Sequence, residues 1–188
     1  MTEKRELARL VRRARKGDAD AFGEIYDRYH DKVYAYVLHQ VGTPADAEDI
    51  TAGVFLDVLE KIEGFTWQGA GFSAWLFRIA RNDVLDFFRR RGRKSREITI
   101  TDEILELPAR ENVEGQAETA EDERKLLAAI GTLSEDQQQV VLLKLLANLS
   151  NRQVGDVVSK NEGAVKALQH RALISLRKFM EEERYRDK

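Results

Sequence analysis

Apolar residues return every three or four positions along most of this chain, and very little in the sequence prevents those runs from being helices. Leu7, Leu10, Val11 and Ala14 share one helical face before Gly17. Phe22, Ile25, Tyr26, Tyr29, Val33 and Val37 do the same up to Gly42, with Asp20 placed to cap the run. Thr43-Pro44 is a cap and first-turn pair, and it opens a third stripe of Ala47, Ile50, Val54, Val58 and Ile62 that closes at Gly64. Phe65 to Gly71 is too glycine-rich for helix, after which Phe72, Trp75, Leu76, Ile79, Ala80 and Phe88 stripe a fourth. The only prolines are Pro44 and Pro108, and no alternating strand pattern competes. Four helices with one apolar stripe each can close a shared core, which defines an N-terminal domain over residues 1–93.

Periodicity fades beyond Arg93. Residues 94–119 contain Pro108 and a run of acids that continues to Glu123, with Arg110 as the only base after Glu97. Just ahead of it Arg89-Arg90-Arg91-Gly92-Arg93-Lys94-Ser95-Arg96 is strongly basic. The net charge of −2 is thus an average over two opposed blocks and decides little. The acidic stretch reads as a flexible linker.

Helical patterning returns with Leu126, Leu127 and Ile130, in a second domain over residues 120–188. Ser134-Glu135-Asp136-Gln137 and Ser150-Asn151-Arg152-Gln153 are both capping boxes, in which the serine side chain accepts from the third helical N–H while the glutamine accepts from the serine's own. The first box opens a helix with Val140, Val141, Leu143 and Leu145; the second opens a short one with Val154, Val157 and Val158. Ser159-Lys160-Asn161 makes a turn, Asn161 caps the next helix, and Val165, Leu168, Ala172 and Leu176 face inward along it. Two short capped helices across such a turn form a helix-turn-helix, whose second helix enters a DNA major groove. The fold class is therefore all-α, two small helical domains joined by an acidic flexible linker.

Other chemistries are disfavoured by the residue inventory. There is no cysteine, and His30, His39 and His170 are scattered, so no metal, disulfide or cofactor is expected. No nucleophile–base–orienter set can be assembled, so no catalytic residue is proposed. No apolar run approaches the roughly 20 residues needed to cross a bilayer, and the basic N-terminus has no signal-peptide core. A cytoplasmic protein without direct membrane insertion is the expectation.

Several of these segments carry a family resemblance. Leu149-Ser150-Asn151-Arg152-Gln153-Val154, followed by Glu162-Gly163-Ala164-Val165-Lys166 and His170-Arg171-Ala172, resembles the −35 reader of bacterial RNA polymerase sigma factors. Leu133 to Gln137 is similar to the segment that leads into that reader. Ala45-Asp46-Ala47-Glu48-Asp49-Ile50 with Val54-Phe55-Leu56 resembles the family's polymerase-clamp helix, and Phe72 to Asn82 resembles its −10 reader. The resemblance runs from about Leu7 to Phe179, and the two-domain plan is similar to the extracytoplasmic-function class.

That resemblance implies a sigma factor: a protein that binds core RNA polymerase, directs it to promoter DNA through the −35 and −10 elements, assists melting, and is restrained by an anti-sigma factor. It implies −35 contacts from Lys144, Lys166, Ala167, His170 and Arg171. It implies −10 contacts from Phe65, Trp67, Trp75, Arg78, Arg81, Asn82, Arg89 and Arg90, with the loop from Phe65 to Gly71 taking a flipped base, Asn82 reading a base edge and the arginines, Arg93 among them, holding phosphates. Trp75 is read as mostly structural and Trp67 as exposed. Polymerase contacts are implied for Glu48, Asp49, Val54 and Phe55, and the acidic linker would imitate a phosphate backbone inside polymerase channels.

The chain departs from the family at three places. Ala52-Gly53 stands where a Gln-Glu pair is usual, Ser159 replaces the turn glycine, and Ala167-Leu168-Gln169 shifts the inward leucine of the reading helix by one position. A competing reading is a two-domain transcriptional regulator whose N-terminal half senses a ligand or partner.

Overall fold

The computed structural model describes residues 3–67, 71–92 and 125–186, with side chains through Glu183. The expected linker at 94–119 lies outside the described residues, as do Arg93 and the loop positions Gln68 to Ala70. Every regular element among the described residues is helical.

The N-terminal bundle comprises α1 (Glu3–Ala14), α2 (Ala19–Val41), α3 (Pro44–Lys61), a 3₁₀ turn (Ile62–Gly64) and α4 (Gly71–Arg91). Gly17, at φ 83°, reverses the chain after α1 in a conformation that glycine adopts without Cβ strain. The cap of α2 is Asp18 and not Asp20: the Asp18 side chain accepts from the Ala21 N–H at 3.0 Å and also holds Arg13 at 2.7 Å. Asp20 sits inside the first turn, where its charge favours the positive end of the helix. Gly42 ends α2 in the left-handed region. Thr43 occupies the cap position of α3, yet its hydroxyl donates to the Asp46 carboxylate and caps no backbone N–H.

The three longer N-terminal helices pack on one another, and α1 lies against α2. Ile25, Val33, Tyr36, Val37, Val54, Val58, Phe72, Leu76 and Phe77 are essentially solvent-free. Tyr29 couples α2 to α4 by a 2.7 Å hydrogen bond with Ser73 and an edge contact to Phe72. Tyr26, expected on the inward stripe, is 37% exposed, its ring tilted against that of Phe55 at the rim.

The C-terminal bundle comprises α5 (125–131), α6 (Glu135–Ala147), α7 (Asn151–Val158) and α8 (Glu162–Arg186). Both capping boxes form as the sequence predicts. Ser159 closes α7 at φ 59°, a left-handed position where a serine costs about 1 kcal/mol more than glycine would. Asn161 accepts from the Ala164 N–H at 2.8 Å and starts α8. Val165, Leu168, Ala172 and Leu176 all point inward, so the displaced leucine keeps its place in the core.

The bundles do not stand apart. Helix α7 packs on α4, and α6 packs on α2 and α4. Their buried residues belong to one continuous cluster.

Candidate nucleic-acid interface

At 100° per residue, Trp75, Arg78, Asn82 and Arg89 fall within one narrow stripe of α4. Arg78, Asn82 and Arg89 are exposed along it, and Trp75 is half-buried at its start. Trp67 stands beside this end of the helix, 45% exposed. Phe65 is different: it is 5% exposed, with Trp67, Phe72 and Trp75 rings packed around it at 5.3, 5.5 and 5.1 Å. Phe65 therefore forms the floor that holds both tryptophans, with little of its own surface exposed. A shallow depression of about 650 Å³ opens over this floor, lined by Glu60, Lys61, Glu63, Gly64, Phe65 and Trp75.

The arginines diverge. Arg89 pairs with Asp86, while Arg91 pairs with Asp46 at 2.7 Å and lies over the Phe87 ring, tying the end of α4 to the start of α3. Arg90 lines a groove between α3 and α4 with Asp83 and Asp86. Asp83 is pushed up to about 6, first by burial and then by the neighbouring Asp57 carboxylate. Arg81 turns inward, with a buried Nε that finds no acceptor among the described residues.

On α8, Lys166, Ala167, His170 and Arg171 are all exposed, opposite the buried stripe. Lys166 makes a 3.0 Å surface ion pair with Glu162 one turn earlier, weak enough to yield to a phosphate. Lys144 is placed otherwise. Its ammonium donates to the Leu149 carbonyl at 3.1 Å and to the Asn151 side chain at 2.8 Å, joining the end of α6 to the start of α7. Two of its three protons are thus held inside the fold.

Along α3, Glu48 and Asp49 are exposed, whereas Val54 and Phe55 are buried and form the helix's inward face. The large apolar side chains that α3 presents outward are Leu56 and Leu59, at 62% and 53% exposure. They are the positions periodicity passes over, since an apolar residue off the inward stripe breaks no helical rule. Gly53 lies on the groove, and a Cβ there would meet nothing within 4 Å.

Two further residues carry structure that the sequence pattern did not single out. Gly155 lies against the turn that follows it: a Cβ would stand 2.4 Å from the Lys160 carbonyl oxygen. Gln139, the last of three consecutive glutamines, reaches across to the N-terminal bundle, where Tyr36 donates to it at 2.5 Å.

The chain matches the family model described as Sigma-70 region 2 over residues 25–94, and that described as Sigma-70, region 4 over residues 123–176. It is 42% identical over 178 residues to the ECF RNA polymerase sigma factor BldN of Streptomyces coelicolor, covering 94% of this chain and 67% of that one. Among solved structures, CnrH in complex with the cytosolic domain of CnrY shares the fold at a TM-score of 0.66 and 19% identity, over 92% of this chain and 95% of that one. The sigma factor RpoE in complex with the anti-sigma factor NepR from Bartonella quintana does so at 0.64 and 21%, over 85% and 96%. The N-terminal bundle thus aligns with a sigma domain and not with a ligand sensor, which removes the regulator reading. With both of its helical domains matched in order, the chain belongs to the extracytoplasmic-function (ECF) RNA polymerase sigma factors.

Proposed function

We propose that the two exposed helical stripes divide promoter reading between them. Helix α8 enters the major groove of the −35 element with His170 and Arg171 toward base edges, Ala167 offering an apolar contact and Lys166 a phosphate contact. Helix α4 follows the −10 element: Arg78, Arg89 and Arg90 hold phosphates, Asn82 reads a base edge, and Trp67 stacks on an unstacked base above the Phe65 floor. Arg81 and Trp75 support this surface from within, and Lys144 fixes the orientation of α7 beneath the reading helix. The observation that carries the reading is the alignment of Trp75, Arg78, Asn82 and Arg89 on a single stripe beside exposed Trp67.

Polymerase docks on the outer face of α3, where Glu48, Asp49, Leu56 and Leu59 are exposed and Val54 and Phe55 hold the helix in place. Residues 1–93 form the −10 and polymerase-binding domain, 94–119 the linker and 120–188 the −35 domain. The protein works by binding and not by catalysis, in the cytoplasm; no helix among the described residues is long and apolar enough to cross a membrane. An anti-sigma factor restrains it, as the RpoE complex with NepR illustrates for a protein of this fold.

Run-off transcription with core polymerase tests the division of labour. Asn82→Ala should impair promoter opening more than initial binding, and Arg171→Ala should do the reverse. Equal loss of both steps in both variants would contradict it.

A further inference from the structure

Helix α1 carries a charge pattern that neither the −10 nor the −35 surface uses. Leu10, Val11 and Ala14 are its buried face, with Leu7 packed beside them. At 100° per residue, Arg5, Arg9 and Arg12 fall within about 60° of one another on the opposite side, and Lys16 follows in the turn after the helix. All four are exposed. The acids of this region are engaged elsewhere: Glu6 pairs with Arg28 at 3.5 Å, while Asp18 and Glu24 pair with Arg13 at 2.7 and 3.7 Å. Among the described residues Arg5, Arg9 and Lys16 form no ion pair, and Arg12 donates only to the Ala8 carbonyl of its own helix, at 3.1 Å. Like charges three and four residues apart repel, and an anion laid along the stripe relieves that repulsion.

The place of the helix indicates which anion. The end of α1 is tied to the −10 surface: Arg15 Nε donates to the Glu63 carbonyl at 3.1 Å, and Glu63 is one wall of the depression over Phe65. Helix α4 starts beside that depression and ends at Arg91, the end from which the sequence continues to the −35 domain. The depression therefore marks the downstream end of the −10 surface, and the α1 stripe begins where that of α4 stops. Arg5, Arg9 and Arg12 are about 4.5–6 Å apart along the helix axis, a spacing on the scale of successive phosphates in an extended single strand.

We propose that Arg5, Arg9, Arg12 and Lys16 hold the sugar-phosphate backbone of the separated strand just downstream of the −10 element. The inference rests on the base-capture reading of Trp67 and the Phe65 floor, and it lengthens that track past the captured base. The contacts are to phosphates alone, so they add affinity for opened DNA without adding sequence preference. A guanidinium suits the task, since its planar fork bonds two phosphate oxygens at once.

Full-length protein carrying Arg5→Gln, Arg9→Gln and Arg12→Gln together, assembled with core polymerase, would be compared with the parent on two promoter fragments. Glutamine keeps the helix propensity of α1. In both fragments the −10 element is held open by mismatches. In one, the non-template strand stops at the last base of the element; in the other it continues unpaired for at least the length of α1, about 18 Å. The variant should bind the shorter fragment as the parent does and gain less from the longer one. On the longer fragment its salt slope should be lower by about two units, three contacts at roughly 0.7 each. Arg5→Lys, Arg9→Lys and Arg12→Lys together should restore most of that slope, and scrambling the downstream bases should change neither protein's binding. Trp67→Ala on the shorter fragment tests the base-capture reading separately: unchanged affinity there would remove Trp67 from the base site and leave the comparison of lengths intact. Equal slopes for variant and parent on the longer fragment would overturn the proposal, as would equal loss on both fragments. Weaker binding of the variant to core polymerase without DNA would also overturn it, giving the stripe to a protein partner.

Discussion

Gly155 and the Lys160 carbonyl oxygen approach so closely that a Cβ on the glycine would stand 2.4 Å from the oxygen, with the Lys160 N–H bonded to the Gly155 carbonyl at 3.0 Å on the other side. This contact fixes the turn through which α7 leads into α8. The obstructing atom is backbone and cannot rotate away. Gly155→Ala should therefore lower stability by about 1–3 kcal/mol through overpacking, read as a lower thermal midpoint. Binding to a −35 fragment should fall with it, because the reading helix is aimed by that turn. An unchanged midpoint would remove Gly155 from this role.

Gly53 presents the opposite case. It lies within α3, where an added Cβ meets nothing within 4 Å and φ is not positive. Gly53→Ala should stabilise the N-terminal bundle by about 1 kcal/mol from helix propensity and reduced unfolded-state entropy. For a bundle of this size that corresponds to a rise of about 4–8 °C in the thermal midpoint. A fall would show that the glycine relieves a strain the geometry does not display.

The difference between these glycines marks what sequence could and could not disclose. Local rules carried a long way: both capping boxes, the Asn161 cap and the relocated Leu168 all follow from spacing within a few residues, and each is where spacing places it. Asp18 and Asp20 were harder to separate, since either acid can cap, and the choice depends on where the chain turns after Gly17. Contacts between distant segments left almost no trace. Gln137, Gln138 and Gln139 are identical in the sequence, but Gln137 completes a capping box, Gln138 donates to the Gly131 and Leu133 carbonyls, and Gln139 crosses to Tyr36, 103 positions earlier. On the candidate interfaces, the family resemblance implied contact for Phe65, Val54, Phe55 and Lys144; that the first three are buried and Lys144 is bonded within the fold depends on neighbours that the local pattern does not contain.

Lys144 allows those two roles to be measured against each other. Removing it in Lys144→Ala deletes the bonds to the Leu149 carbonyl and the Asn151 side chain. Loss of two such hydrogen bonds should cost about 1–3 kcal/mol of stability. If the ammonium serves only the α6–α7 junction, the dependence of DNA affinity on salt should keep its slope. A slope reduced by about one unit would instead assign Lys144 a phosphate.

Asp83 makes stability depend on pH in a direction opposite to that of an ordinary ion-paired aspartate. Burial and then Asp57 raise its folded value to about 6, above the usual 3.8. Between those values the folded chain holds a proton that the unfolded chain has lost, so this group's contribution to stability falls as pH rises from about 4 to 6 and stays low above that. Asp83→Asn should therefore be more stable than the parent at pH 7, with the advantage disappearing below pH 4. Urea midpoints across pH 3–7 would show it. An advantage that persists at the acid end would point to packing and not to titration.

Arg171 and Lys166 are both exposed on α8, but they should fail in different ways. A guanidinium can bond two guanine acceptors at once, so Arg171→Ala should cost about 1–3 kcal/mol of discrimination at one −35 position while affinity for altered sites changes little. Lys166 already exchanges its charge with Glu162 at the surface, so Lys166→Ala should weaken binding uniformly across sequences and lower the salt slope by about one unit. Competition binding with a set of single-base −35 variants, repeated at two salt concentrations, separates the outcomes. Uniform loss from Arg171→Ala would move it to the phosphate backbone and leave His170 as the base-reading side chain of the helix.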